Sequence, residues 1–262
     1  MQGSWREALL DLLFPGSHFC YFCAKNTAGQ KIKGVCGECG GKILSLERTL
    51  ASCRRCGYFA PVSPCPNCLE WEDSLKRVIT VVPYEGAYRE MIQSLKYQGK
   101  HDLAIPLGML MAEKVRTAGL VKTVDIIIPV PLHPLREKER GYNQSLWLAE
   151  TIGRRLKLPL QTDALIRRSY LKTQTGLGKN ERVANMAQAF CVIGEEKILN
   201  KNILLVDDII TTGATLLACA GVLRQKGARE INGVTWAAGS KKNLSEPEGN
   251  RGKTENYASK LR

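Results

Sequence analysis

Two adjacent carboxylates, Asp207 and Asp208, are followed after a pair of isoleucines by Thr211, Thr212, Gly213, Ala214 and Thr215. Carboxylates accept hydrogen bonds and hold hydrated cations but repel phosphate, so the pair suits a sugar diol or a hydrated magnesium ion. The threonine-glycine stretch suits the phosphate. A helix start there would offer unpaired N–H groups and the positive end of a dipole, hydroxyls would add donors, and glycine would let the backbone approach closely. A ligand carrying both a phosphate and a diol is implied. Mere helix capping would need one such residue rather than the five gathered here. The GxxxxGK[ST] of a nucleoside-triphosphate P-loop is missing from this stretch, which makes ATP hydrolysis the weaker reading.

A second chemistry lies near the start of the chain, where Cys20/Cys23, Cys36/Cys39, Cys53/Cys56 and Cys65/Cys68 form four Cys-x-x-Cys knuckles. Each can offer two thiolates to a tetrahedral zinc ion. Sequential pairing gives two sites, cross-braced pairing is the alternative, and one occupied site remains open. An iron–sulfur cluster would want cysteines converging on one centre rather than regular pairs. A thioredoxin-like role would want a βαβ pattern around a Cys-x-x-Cys, and none is evident. The text between the knuckles is polar and glycine-rich, so metal is expected to supply most of the folding energy there. Cys191 and Cys219 have no such partner and suit packing roles.

Alternating strand and helix patterns must position these groups. Residues 203–206 are a continuous apolar run, which suits a strand covered on both faces and ending at Asp207. Residues 214–226 read as the helix that leaves the turn, stopped by Gly227. Further strands are expected at 77–82, 124–128, 165–168, 189–193 and 231–236, with helices at 86–97, 103–117, 145–156 and 181–187. The alternation indicates an α/β fold, a parallel sheet flanked by helices. The strand at 124–128 runs into Val130, Pro131 and His133, a stiff loop at a carboxyl end where such sheets bind ligands. Arg136 and Arg140 follow and suit pyrophosphate oxygens, although a solvated charge run would look the same. His133 is a better loop residue than general base. Residues 170–179, with Lys172, Thr173 and Gln174, are polar and glycine-punctuated and read as a mobile lid.

The chain has 262 residues and a formal net charge of +13. That length suits one sizeable core plus a smaller module. We expect an N-terminal helix and cysteine module over 1–75, an α/β domain over 76–239 and a disordered basic tail over 240–262. The charge favours polyanions, whether nucleic acid or pyrophosphate. No apolar run is long enough to span a bilayer and the N-terminus does not read as a signal peptide, so membrane insertion is not expected and a cytoplasmic location is.

Val206 to Gly213 resembles the phosphoribosyl-pyrophosphate (PRPP) motif of type I phosphoribosyltransferases. Together with the knuckles, LKYQG at 95–99, PVPLHPLREKERGYNQS at 129–145 and KTQTGLGKNERVANMAQAF at 172–190, it resembles the ComF family of late-competence proteins over residues 5–238. The resemblance implies a type I phosphoribosyltransferase fold with an N-terminal zinc module and a role in natural transformation, with single-stranded DNA and competence proteins as partners. It implies Asp207 and Asp208 on the ribose 2′ and 3′ hydroxyls, residues 211–215 on the 5′-phosphate, and Val130, Pro131 and the adjacent arginines facing pyrophosphate, with magnesium accompanying PRPP. Nothing in it names an acceptor. The expected function is phosphoribosyl transfer from PRPP. The alternatives are a single-stranded-DNA adaptor that keeps the pocket without transferase activity, and a zinc-stabilised scaffold with a vestigial pocket.

Overall fold

The computed structural model describes residues 19–27, 29–60, 62–69, 71, 73–168 and 189–239. The expected N-terminal helix, the lid with Lys172, Thr173 and Gln174, the helix at 181–187 and the tail from 240 lie outside these residues.

Four strands form one sheet: β1 (Arg77–Pro83), β2 (Ile126–Pro129), β5 (Asn202–Ile210) and β6 (Glu230–Ala238), in the order β1-β6-β5-β2. Every neighbouring pair is parallel. Two short strands, β3 (Leu165–Arg167) and β4 (Phe190–Val192), pair antiparallel beside it. The helices are α1 (Gly37–Thr49), α2 (Gly86–Tyr97), α3 (Ala104–Thr117), α4 (Pro134–Arg140), α5 (Gln144–Leu156) and α6 (Ala214–Gln225).

Because successive strand side chains point to opposite faces, β5 sends Leu204 and Val206 into one apolar cluster and Ile203 and Leu205 into another. The first face is covered by α2, α3 and α5 through Ile92, Leu107 and Leu148. The second is covered by α6 and the short hairpin through Leu216, Leu223 and Phe190. Burial on both faces explains the uninterrupted apolar text of these strands. The cysteines share these cores. Cys20, Cys36, Cys39 and Ile43 pack into the first cluster, and Cys53, Cys56, Cys65, Cys68 and Trp71 into the second.

Two expectations need correction. β5 does not end at Asp207: its register with β6 continues through Asp207↔Thr235 and Ile209↔Ala237 to Ile210↔Ala238. Its pairing with β2 stops earlier, at Pro129↔Val206. The carboxylates therefore sit on a strand that is still hydrogen-bonded on one side and open on the other. The arginine-rich stretch after the prolines is a short helix, α4, rather than a loop. Pro134 stands at its first position, and His133 caps it by accepting the Leu135 N–H at Nδ1, 3.1 Å away.

Candidate functional site

The opening left where β2 stops is filled by the start of α5. Asn143 is the N-cap: its Oδ1 accepts the Ser145 N–H at 3.0 Å, and its Nδ2 donates to the Val130 carbonyl at 3.0 Å. Val130 in turn donates its N–H to Val206 at 2.9 Å, which ties the segment after β2 to β5. The next two side chains reach the acids. Gln144 Nε2 donates to Asp208 Oδ2 at 2.7 Å, and Ser145 Oγ donates to Asp207 Oδ1 at 3.0 Å. The helix start also places its positive dipole end beside both carboxylates.

Asp208 is 4% exposed and forms an ion pair with Lys96 Nζ at 2.7 Å. Lys96 lies in the last turn of α2, where Tyr142 Oη donates to the Leu95 carbonyl and holds that end in place. Asp207 is partly buried. Its carboxyl is pushed up to about 7, first by burial and then by the Asp208 charge, against the Asp208 N–H, Lys96 and the Ser145 hydroxyl. Asp207 therefore keeps its proton up to near neutrality.

The turn beyond β5 comprises Thr211, Thr212 and Gly213, and α6 begins at Ala214. Thr211 and Thr212 are exposed, Gly213 is buried, and Ala214 and Thr215 are intermediate. Thr212 Oγ1 accepts the Ala214 N–H at 3.3 Å, so one of the turn's hydroxyls already holds the first N–H of the helix. Gly213 has φ +82°, a left-handed conformation that favours glycine. Acids and turn are therefore consecutive on one strand end.

Arg140 reaches this network: its guanidinium donates to Gln144 Oε1 and lies 5.0 Å from the Tyr97 ring centroid. Arg136 is exposed one turn earlier on α4, and Pro131 is partly buried at the loop. His133, buried and capping, holds its Nδ1 lone pair against a backbone N–H, which does not suit a general base. The residues the motif reading missed are Lys96, Gln144 and Ser145. They lay inside LKYQG and GYNQS, but no local spacing tied them to Asp207 and Asp208.

The cysteines form two tetrads in sequential pairing, Cys20/Cys23/Cys36/Cys39 and Cys53/Cys56/Cys65/Cys68. Within each, the Sγ atoms all lie within 4.8 Å of one another. Cys23–Cys36 is 3.6 Å, Cys53–Cys68 3.5 Å, Cys56–Cys65 3.3 Å and Cys65–Cys68 3.8 Å. Four thiolates about 2.3 Å from one tetrahedral ion stand about 3.8 Å apart, so the tetrads fit a metal of zinc's size. Burial resists ionisation of Cys53, but the N–H groups of Cys56, Arg55 and Cys65 and the Ser63 hydroxyl outweigh it and bring the thiol down to about 6.

The family profile of the phosphoribosyl transferase domain matches residues 143–250. Competence protein F of Haemophilus influenzae is 32% identical over 220 residues, which cover 81% of this chain and 93% of that protein. The chain belongs to the ComF family. Its similarity extends to the DNA utilization protein YhgH of Escherichia coli K12, 31% identical over 76% of this chain and 87% of that one. Competence protein ComFC of Bacillus subtilis is 29% identical over 86% and 84%. The chain's parallel sheet and flanking helices are those of a phosphoribosyltransferase-type fold, joined to cysteine tetrads compatible with zinc ribbons. Among its described residues, no helix is long and apolar enough to cross a membrane.

Proposed function

We propose that this chain binds PRPP with magnesium at the end of β5 and acts in the handling of imported DNA, with zinc in both tetrads. One observation carries the reading: a carboxylate pair and a left-handed glycine turn at a helix start lie consecutively on the strand that outlasts its neighbour β2. Asp207 and Asp208 accept the ribose 2′ and 3′ hydroxyls, and the N–H groups and hydroxyls of Thr211 to Thr215 take the 5′-phosphate. Val130 and Pro131 face the pyrophosphate, with Arg136 and Arg140 supplying positive charge.

Transfer would break the bond from C1′ to pyrophosphate through an oxocarbenium-like transition state. The chain's task is to hold both ends of the sugar so that C1′ meets its acceptor, to donate to the departing oxygens, and to keep water away. Magnesium, when bound, would neutralise charge on the pyrophosphate. Raised to about 7, Asp207 accepts most strongly from a diol once it is ionised, so ligand affinity should increase between pH 6 and 8.

The names of the relatives support the DNA role: two are competence proteins and one a DNA utilization protein. The test is calorimetry of the metal-replete chain with PRPP and magnesium. Binding that is lost in Asp207→Ala or Asp208→Ala supports the reading, and no heat change refutes it. A second reading, a DNA adaptor that keeps the pocket without transfer, is favoured by the Lys96–Asp208 pair, which already neutralises one acid. It expects PRPP binding without pyrophosphate release. It also expects a shallower salt dependence of single-stranded-DNA binding when Arg136 or Arg140 is replaced.

A further inference from the structure

We infer that Trp71 couples the second cysteine tetrad to the anion turn, so that metal held by Cys53, Cys56, Cys65 and Cys68 sets how well residues 211–215 grip a phosphate. The phosphate half of this inference rests on the reading of the turn given above; the coupling itself rests on packing.

The Trp71 ring is the floor of the turn. A Cβ placed on Gly213 would lie 2.3 Å from Trp71 Cζ2 and 3.0 Å from Cη2, closer than a methyl group can sit. Glycine at this position is therefore required twice, by φ +82° and by the ring beneath it. The ring is 6% exposed, so it cannot swing into solvent without opening the core.

The main chain that carries the ring is held by the tetrad's own backbone. Trp71 donates its N–H to the Cys68 carbonyl at 3.2 Å, and Cys68 donates to the Cys65 carbonyl at 3.0 Å. From the first knuckle, Arg55 Nη2 donates to the Trp71 carbonyl at 2.5 Å, while the Arg55 carbonyl accepts the Val78 N–H of β1 at 2.8 Å. Both knuckles thus grip the tryptophan, and one of them is anchored to the sheet. Four buried sulfurs at 3.3–3.8 Å from one another gain little by staying there unless an ion holds them. Releasing them would free the 65–68 turn and the ring with it. Anion sites of this kind work because their N–H groups are aimed before the ligand arrives, and a loosened floor removes that aim. The first tetrad packs into the cluster on the opposite face of the sheet and serves as an internal control.

The experiment compares full-length, metal-replete wild type with Trp71→Ala, Trp71→Phe, Cys65→Ser and Cys36→Ser. Amide hydrogen exchange is followed at residues 211–217, and ribose 5-phosphate affinity is measured by calorimetry. Trp71→Ala should speed exchange at the turn and weaken ribose 5-phosphate about tenfold, a change worth about 1.4 kcal/mol. Trp71→Phe should recover most of both. Cys65→Ser should match Trp71→Ala, whereas Cys36→Ser should lose a metal ion and leave exchange at the turn unchanged. Unchanged exchange in Trp71→Ala would overturn the coupling, as would equal acceleration in Cys36→Ser. Where Cys65→Ser does not fold, the two Trp71 variants, which keep all eight tetrad thiols, decide the matter. Faster exchange in Trp71→Ala beside a wild type that takes up no ribose 5-phosphate would uphold the coupling and refute the phosphate reading alone.

Discussion

The two cysteine tetrads begin alike and end differently. In the first, Cys20 donates to the Lys25 carbonyl and Ala24 donates back to Cys20; in the second, Cys53 donates to Tyr58 and Gly57 donates back to Cys53. Ala24 and Gly57 occupy the same left-handed position, at φ 57° and 74°. The second knuckles diverge. Cys36 caps α1, accepting the Cys39 N–H at 3.4 Å, and α1 docks on α3 where Lys114 Nζ donates to the Leu44 carbonyl at 2.9 Å. Cys65 and Cys68 instead form a turn that delivers Trp71 to Gly213. One structural unit, used twice, braces opposite faces of one sheet.

That difference maps onto the candidate ligand. Asp208 is held from the first face, by Lys96 and Gln144 on α2 and α5, whereas the anion turn rests on the second face through Trp71. Damage to each face should therefore weaken a different end of a sugar phosphate.

The largest expected effect comes from the thiols. Cys20→Ser and Cys56→Ser should each lower the metal content by one ion in native mass spectrometry and cost about 3 kcal/mol or more in stability, since metal binding and folding are linked here. Equal ligand-binding losses in both would break the comparison. Next is the buried acid. Asp208→Ala leaves Lys96 without this partner and should lower stability by roughly 2–3 kcal/mol in urea titration, with Lys96→Met in the same chain restoring much of it. This change should weaken diol recognition while exchange at residues 211–217 stays slow.

The pH response is smaller and has a definite sign. Asp207 is raised to about 7 in the folded chain against about 3.9 unfolded, so the folded state binds the extra proton. Its contribution is fully present below about pH 4 and is lost as pH rises towards 7 and above, by roughly 2 kcal/mol at most in this partly buried setting. Asp207→Asn should flatten that part of the urea-midpoint profile between about pH 4 and 7. Smallest of all is Asp73→Asn. Asp73 is fully exposed and only 3.3 Å from Arg55, and its loss should leave the melting temperature unchanged, whereas Arg55→Ala, which removes the donor to Trp71, should not.

Much of the fold was legible because it is written in local periodicity. The helix at 86–97 and the strand starting at Arg77 stand where the pattern put them, and the doubly buried strands announced themselves by unbroken apolar text. The end of β5 was not legible. Ile209 and Ile210 continue the strand only because β6 is there to pair with them, and a polar pair of aspartates looks like a terminus to any local rule.

By itself, then, the sequence determined which residues could do chemistry: the adjacent acids, the glycine turn and the spacing of eight cysteines are all short-range features that survive in any conformation of the chain. Tertiary structure alone decided who meets them. Lys96 reaches Asp208, and Trp71 underlies Gly213, because the strand order β1-β6-β5-β2 brings distant segments to one sheet edge. The reason is physical: side-chain period and ligand spacing act over a few residues, whereas the depth of a site and the charge beside it depend on register and packing between elements that no local pattern encodes.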